Sequence, residues 1–198
     1  MEADLTQVAT VAELNAEWMR NEAIYYWHLR HHYQVVEKYL LGTILDLGCG
    51  PGYLAARVKP NEGWYTGVDI SPTAIALGKR LFPGAHLSVH DIEHDTLPFA
   101  DRSFDTVVAS EVFEHLQKHE LLLSEIRRCA RTCIVITTPI SMGGVGHIWP
   151  QWSYQDCIDK FGCLGSFIEI SRFFEPPGRF NLCHIRAGTV ATKEALLR

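Results

Sequence analysis

Two kinds of hydrophobic pattern alternate along this chain. Short runs such as Thr106-Val107-Val108-Ala109 and Cys133-Ile134-Val135-Ile136-Thr137 are apolar almost throughout, as in parallel strands covered on both faces. Between them lie stretches whose apolar positions recur at helical spacing. The first kind predicts strands near 43–47, 64–68, 86–90, 104–109 and 133–138. The second predicts helices near 53–58, 72–81, 117–129 and 153–162, with a short crossover between the third and fourth strands. Ser71 before Pro72 is a helix start, with serine as N-cap and proline in the first turn. Residues 166–174 and 180–192, split by Glu175-Pro176-Pro177-Gly178, predict a closing antiparallel hairpin. Such alternation gives an α/β, doubly wound and mostly parallel sheet, with ligands outside the carboxyl ends of its strands.

Ahead of this core, Val11, Leu14, Trp18, Tyr25, Leu29, Val36 and Leu40 recur at spacings of three, four and seven, predicting helix from 11 to about 41. Its aromatic stretch, Trp18 and then Tyr25 to Tyr33, reads first as side chains packed on the sheet with histidines in solvent.

Composition narrows the setting. At 198 residues the chain is read as one domain with a single buried core. Hydrophobic content of 47% and charged content of 21% are those of an ordinary globule. A net charge of −5 gives no reason for nonspecific attraction to nucleic acid or anionic membrane. No apolar stretch approaches a membrane span, and the N-terminus lacks the basic and apolar regions of a signal peptide. Cys49, Cys129, Cys133, Cys157, Cys163 and Cys183 form no C-x-x-C pair, which favours reduced thiols over disulfides or zinc. A cytoplasmic location is expected.

Chemistry concentrates at Ile44-Leu45-Asp46-Leu47-Gly48-Cys49-Gly50-Pro51-Gly52. Three glycines at every second position after a strand give a tight loop that a ligand can approach closely. Trp64 to Val68 then reads as a second strand ending in Asp69, placed to accept hydrogen bonds from a ribose diol. The dinucleotide fingerprint is G-x-G-x-x-G, whereas here the spacing is G-x-G-x-G, with Tyr53 and Leu54 where the third glycine would fall. That disfavours a nucleotide-dependent oxidoreductase, and acidic Asp46 suits a cationic ligand better than a pyrophosphate.

This stretch resembles the first motif of class I S-adenosylmethionine (SAM) methyltransferases. Val68-Asp69-Ile70-Ser71 and His90-Asp91-Ile92 resemble the second and third motifs. Leu97-Pro98-Phe99 with Ser103 to Val108 resembles the run into the fourth strand, and Glu111-Val112-Phe113-Glu114-His115-Leu116 the motif after it. The resemblance spans roughly 42–140 and implies a seven-stranded sheet with an antiparallel C-terminal hairpin and an N-terminal helical cap over residues 1–41. It implies SAM as cofactor, held by Asp46, Gly48, Cys49, Gly50, Gly52, Asp69 at the ribose, Ile70, Asp91 at the adenine amino group, Ile92 and Glu111. It also raises the reading that the aromatic N-terminal segment covers the cofactor, with Arg30 as a candidate partner for its carboxylate.

Residues 141–152 read as a glycine-rich, aromatic substrate lid, followed by a C-terminal helix and hairpin over 153–198. A base is needed for a hydroxyl or protonated amine; His147 on the lid is the first candidate, with Glu111 and His115 behind it. On a helix, Glu111, Glu114 and His115 would share one face and, with His147, could hold a divalent ion. This resembles the E-x-x-E-H segment of small-RNA 2′-O-methyltransferases, yet their F-R-H-x-D-H run is missing, so the reading kept is a site without metal. Arg127, Arg128 and Arg131 read as cations at a helix C-terminus rather than a nucleic-acid patch. The expected function is methyl transfer to oxygen or nitrogen of a small-molecule acceptor. The alternatives are a metal-assisted RNA 2′-O-methyltransferase and a non-catalytic SAM-binding partner subunit.

Overall fold

In a computed structural model, residues 32–58, 64–140, 147–149, 151–173 and 180–187 are described. Trp18, Tyr25, Tyr26, Trp27, Arg30 and most of the lid (141–146 and 150) lie outside them.

Seven strands form one sheet: β1 (Ile44–Leu47), β2 (Tyr65–Asp69), β3 (His86–Val89), β4 (Phe104–Ser110), β5 (Ala130–Pro139), β6 (Gly165–Phe173) and β7 (Phe180–Ala187). Their order is β3-β2-β1-β4-β5-β7-β6, parallel from β3 to β5, with β7 antiparallel to both β5 and β6. This is the doubly wound sheet with a terminal antiparallel pair that the strand pattern and the resemblance predict. The chain reverses its winding between β1 and β4, and the crevice there is where such sheets take ligands. Register keeps the rim level, since Leu47 pairs with both Val68 and Ala109.

Helices cover both faces: α1 (residues 32–36), α2 (Pro72–Leu81), α3 (Glu120–Cys129) and α4 (Tyr154–Phe161). Leu45, Leu47, Val107, Ala109, Ile134 and Ile136 face one cluster with Leu122, Ile126 and Phe161. Ile44, Val108 and Val135 face the other, with Val36 and Ile75. Strands whose successive side chains all enter a core must be apolar at every position, which is the pattern seen in the sequence. No described helix is long and apolar enough to cross a membrane.

Local signals act as read at α2, where the Ser71 side chain accepts from Ala74 N at 3.0 Å ahead of Pro72. α4 opens with a reciprocal capping box between Ser153 and Asp156. Two helices are shorter than expected. In place of 53–58 there is a single 3-10 turn, Tyr53–Ala56. In place of 117–129, α3 begins at Glu120, because Glu93 Oε1 accepts the amides of Gln117 and Lys118 and holds that stretch outside the helix. Arg128 does lie in the last turn of α3, but its guanidinium also binds Glu125, Asp101 and the carbonyls of Leu97 and Phe99, clamping the crossover loop. All six cysteines are free, and only Cys163 is exposed.

Candidate functional site

At the rim of β1 the backbone does what only glycine does easily: Gly48, Gly50 and Gly52 have φ of 68°, 54° and 76°. The amides of Gly48 and Cys49 both donate to Val68 O, at 2.8 and 3.0 Å. A Cβ on Gly48 would lie 2.7 Å from a Val112 methyl. Asp69 braces the turn, its two carboxylate oxygens accepting from Gly50 N at 2.7 Å and Ser71 N at 2.8 Å. Each oxygen keeps a lone pair for a ligand. α2 closes on the loop from behind, since a Cβ on Gly78 would stand 2.4 Å from Pro51 O. The thiol of Cys49 is buried near Gly67, so this residue offers a ligand its main chain only.

Three carboxyls surround the loop. Asp46 is 2% exposed and accepts from Tyr65 Oη at 2.5 Å; burial pushes its pKa up to about 7, against that bond and with help from the Asp69 charge. Burial raises Asp69 too, opposed by the Ser71 and Gly50 amides. Glu111, just past β4, has a left-handed φ of 54° and a pKa raised to about 7 by burial, against the Thr137 hydroxyl. Its buried Oε1 has no hydrogen-bond partner among the described residues, and none of the three acids has an ion-pair partner there. Desolvated acids without cations repel phosphate and fit a cationic ligand, so the residues suit the sulfonium and ammonium of SAM.

Asp91 sits on the loop after β3 and accepts from the amides of Glu93 and His94 and from the His94 ring. Ile92 beside it is buried, whereas Ile70 is partly exposed at the rim after β2.

Glu114, His115 and His147 form a second group. The expectation that Glu111, Glu114 and His115 share a helix face does not hold. Left-handed Glu111 breaks the helical path, and only Phe113–His115 coils, as one 3-10 turn. Glu111 therefore stands apart, while donor atoms of Glu114, His115 and His147 all lie within 4.8 Å of one another. The Glu114 carbonyl accepts from Ile148 N at 2.7 Å and Trp149 N at 3.1 Å, binding the lid end to this turn. Trp149 Nε1 donates to Leu116 O at 2.9 Å. The His115 and His147 rings meet edge-on at 4.7 Å. Glu114 is wholly buried, neither carboxyl oxygen has a partner among the described residues, and burial followed by the Glu111 charge raises its pKa well above the usual range.

One residue at the rim was not legible in the sequence. His32, which reads as a solvent histidine, is buried; its Nε2 lies 2.8 Å from Ser110 Oγ and 3.0 Å from Thr137 Oγ1, and its ring packs 4.0 Å from Phe180. Burial lowers its pKa to about 3 and keeps it neutral. Nothing in Tyr26-Trp27-His28-Leu29-Arg30-His31-His32-Tyr33 separates it from its neighbours. Beyond Trp149 opens a cavity of about 450 Å³, lined by His119, Trp149, Gln151, Trp152, Asp156, Asp159 and Lys160. Of the two tryptophans, Trp152 is the one that packs, stacked on Phe161 of α4, while Trp149 is 47% exposed.

A family model described as a methyltransferase domain matches residues 45–132, the span from the glycine loop into β5. An uncharacterized methyltransferase of Mycobacterium bovis is 28% identical over 131 residues, 62% of this chain and 66% of that protein's length. Among solved structures, a Haloferax volcanii protein in complex with the Trm112 methyltransferase activator superposes with a TM-score of 0.72 at 18% identity, over 93% of this chain and 100% of that one. A TehB-like SAM-dependent methyltransferase from Corynebacterium glutamicum gives 0.63 at 22% identity, over 89% and 97%. The structural likenesses establish the fold, and the domain match falls on the residues that build the acidic glycine loop. With the motif order and the sheet order in agreement, residues 45–132 match a methyltransferase domain on a Rossmann-like methyltransferase fold, which supports S-adenosylmethionine as the cofactor.

Proposed function

We propose that this protein transfers a methyl group from SAM to an oxygen or nitrogen of a small-molecule acceptor. The observation that carries the reading is the glycine loop ringed by Asp46, Asp69 and Glu111, three desolvated acids without an ion-pair partner among the described residues. Asp69 and the loop amides would hold the ribose, Asp91 and Ile92 the adenine, and Asp46 with Glu111 the cationic end. The bound cofactor supplies an electrophilic methyl on a sulfonium. What remains for the chain is to place the acceptor in line, keep water out and take a proton. Placement alone is worth on the order of 7–11 kcal/mol of barrier.

His147 and His115 meet edge-on, and with no ion bound there His147 is the preferred proton acceptor, its reference pKa lying near neutral. A net charge of −5 and an acidic rim disfavour a polyanionic acceptor.

Calorimetric titration tests the reading. Micromolar binding of S-adenosylhomocysteine and SAM, with no binding of NADH, is expected; binding of NADH alone would overturn it. Methyl transfer is then sought with flat or apolar hydroxyl and amine acceptors.

A further inference from the structure

We propose that Glu114, His115 and His147 form a binding site for one first-row transition-metal dication, of which Zn²⁺ is the best fit. Two independent observations point there. The first is convergence: a carboxylate oxygen and two imidazole nitrogens, from a 3-10 turn and from the end of the lid, all lie within 4.8 Å of one another. The paired bonds from Ile148 N and Trp149 N to the Glu114 carbonyl bring these segments together through the main chain. The second is the Glu114 side chain itself. It is 0% exposed, and neither carboxyl oxygen meets a hydrogen-bond donor among the described residues. A buried carboxyl without a partner is rare in folded proteins, and a cation is one of the few things that satisfies both its charge and its lone pairs.

The donor set selects the ion. Two imidazoles and one carboxylate suit zinc and its first-row neighbours and leave coordination positions open, whereas Mg²⁺ and Ca²⁺ favour oxygen ligands. With metal–ligand bonds of about 2.1 Å, donors on one ion stand roughly 3–4 Å apart, so ion entry draws these side chains slightly inward. Glu111 lies outside this cluster of donor atoms, and its charge acts on Glu114 from there. The competing account is that Glu114 is simply a protonated, buried acid.

These accounts part on metal binding, which needs no knowledge of the acceptor. Full-length protein would be stripped with a chelator, desalted and titrated with Zn²⁺ in a non-coordinating buffer. A Cys163→Ser background removes the one exposed thiol. Retention of one ion per chain after dialysis is expected, together with a Co²⁺ derivative showing the visible bands of a low-coordinate nitrogen and oxygen site. Glu114→Gln and His147→Ala should each weaken Zn²⁺ at least tenfold, while His86→Ala on exposed β3 leaves it unchanged. Millimolar Mg²⁺ should not compete. Should Glu114→Gln fail to fold, judged by circular dichroism, His147→Ala and His115→Asn carry the comparison. No stoichiometric ion, or equal affinity in those variants and wild type, overturns the proposal. S-adenosylhomocysteine binding by the stripped protein is measured in parallel, so a failed metal site is told apart from a failed cofactor site.

Discussion

The two halves of the sheet's carboxyl rim are built on opposite principles. Around β1 and β2 the site is backbone: glycines in left-handed conformations, amides on Val68 O, and Asp69 held in place by two N–H groups. Around β4 and β5 it is side chains, with Glu111 strained and the Glu114 carboxyl without a hydrogen-bond partner among the described residues. Hydrogen-bonded frames accept their ligand with little rearrangement, whereas orphaned carboxyls gain most when one arrives.

The largest effect that would test this contrast lies at Asp69. Asp69→Ala removes both charge-assisted bonds to the loop and should weaken S-adenosylhomocysteine by about 100-fold or more. Glu114→Gln should leave that affinity within about threefold. Calorimetry on both variants checks the asymmetry, and equal losses would erase it.

Gly78→Ala comes next. Alanine favours a helix by about 1 kcal/mol. Its Cβ would nevertheless stand 2.4 Å from the Pro51 carbonyl, where backbone on both sides cannot yield cheaply. A net destabilisation of about 1–3 kcal/mol is expected, read as a lower Tm, with cofactor binding reduced as the loop shifts.

A smaller effect tests the acids through pH. Asp46 and Glu111, with pKa values near 7 in the unliganded protein, are neutral below that pH and charged above it. A bound cation favours the charged forms, so SAM affinity is full above pH 7 and declines as pH falls through 7, by about tenfold per unit for each group. Titrations between pH 5.5 and 8.5 should show this slope; a flat profile would mean that neither acid meets the cation. Stability of the unliganded protein runs the other way. Carboxyls with raised folded pKa values stabilise at low pH and lose that contribution as pH rises from the ordinary carboxylate range toward 7.

The smallest expected change is at Glu111→Gly. Relief of the left-handed φ, set against glycine's entropy, should leave stability unchanged or raise it by up to about 1 kcal/mol, while methyl transfer falls. Thermal melting alongside an activity assay separates the two. A clear drop in Tm would show that the carboxyl, not the backbone, holds this turn.

Legibility followed the same division. β1, β2, β4 and β5 were readable because both their faces are buried, and the glycine loop because a left-handed backbone demands particular residues. The turn after β4 departs from the helix that the spacing of Glu111, Glu114 and His115 predicts, because a single left-handed residue cancels that geometry without any mark in the sequence. His32 was missed because its partners lie 78 and 105 residues away. The start of α3 was misplaced for a similar reason, since the carboxylate that holds back its first residues belongs to Glu93.

The Glu114 carbonyl belongs to the main chain and is the same whatever side chain stands there. Because it fastens the lid end through the amides of Ile148 and Trp149, the path of that segment does not depend on which side chain position 114 carries. Position 114 is thus an interchangeable socket: a glutamine or an apolar residue could be fitted while residue 147 stays at the same address. Proline at 148 or 149 would remove a fastening amide and leave every polar side chain of the cluster in the sequence. The places where the backbone tolerates least are not the places where the chemistry is written.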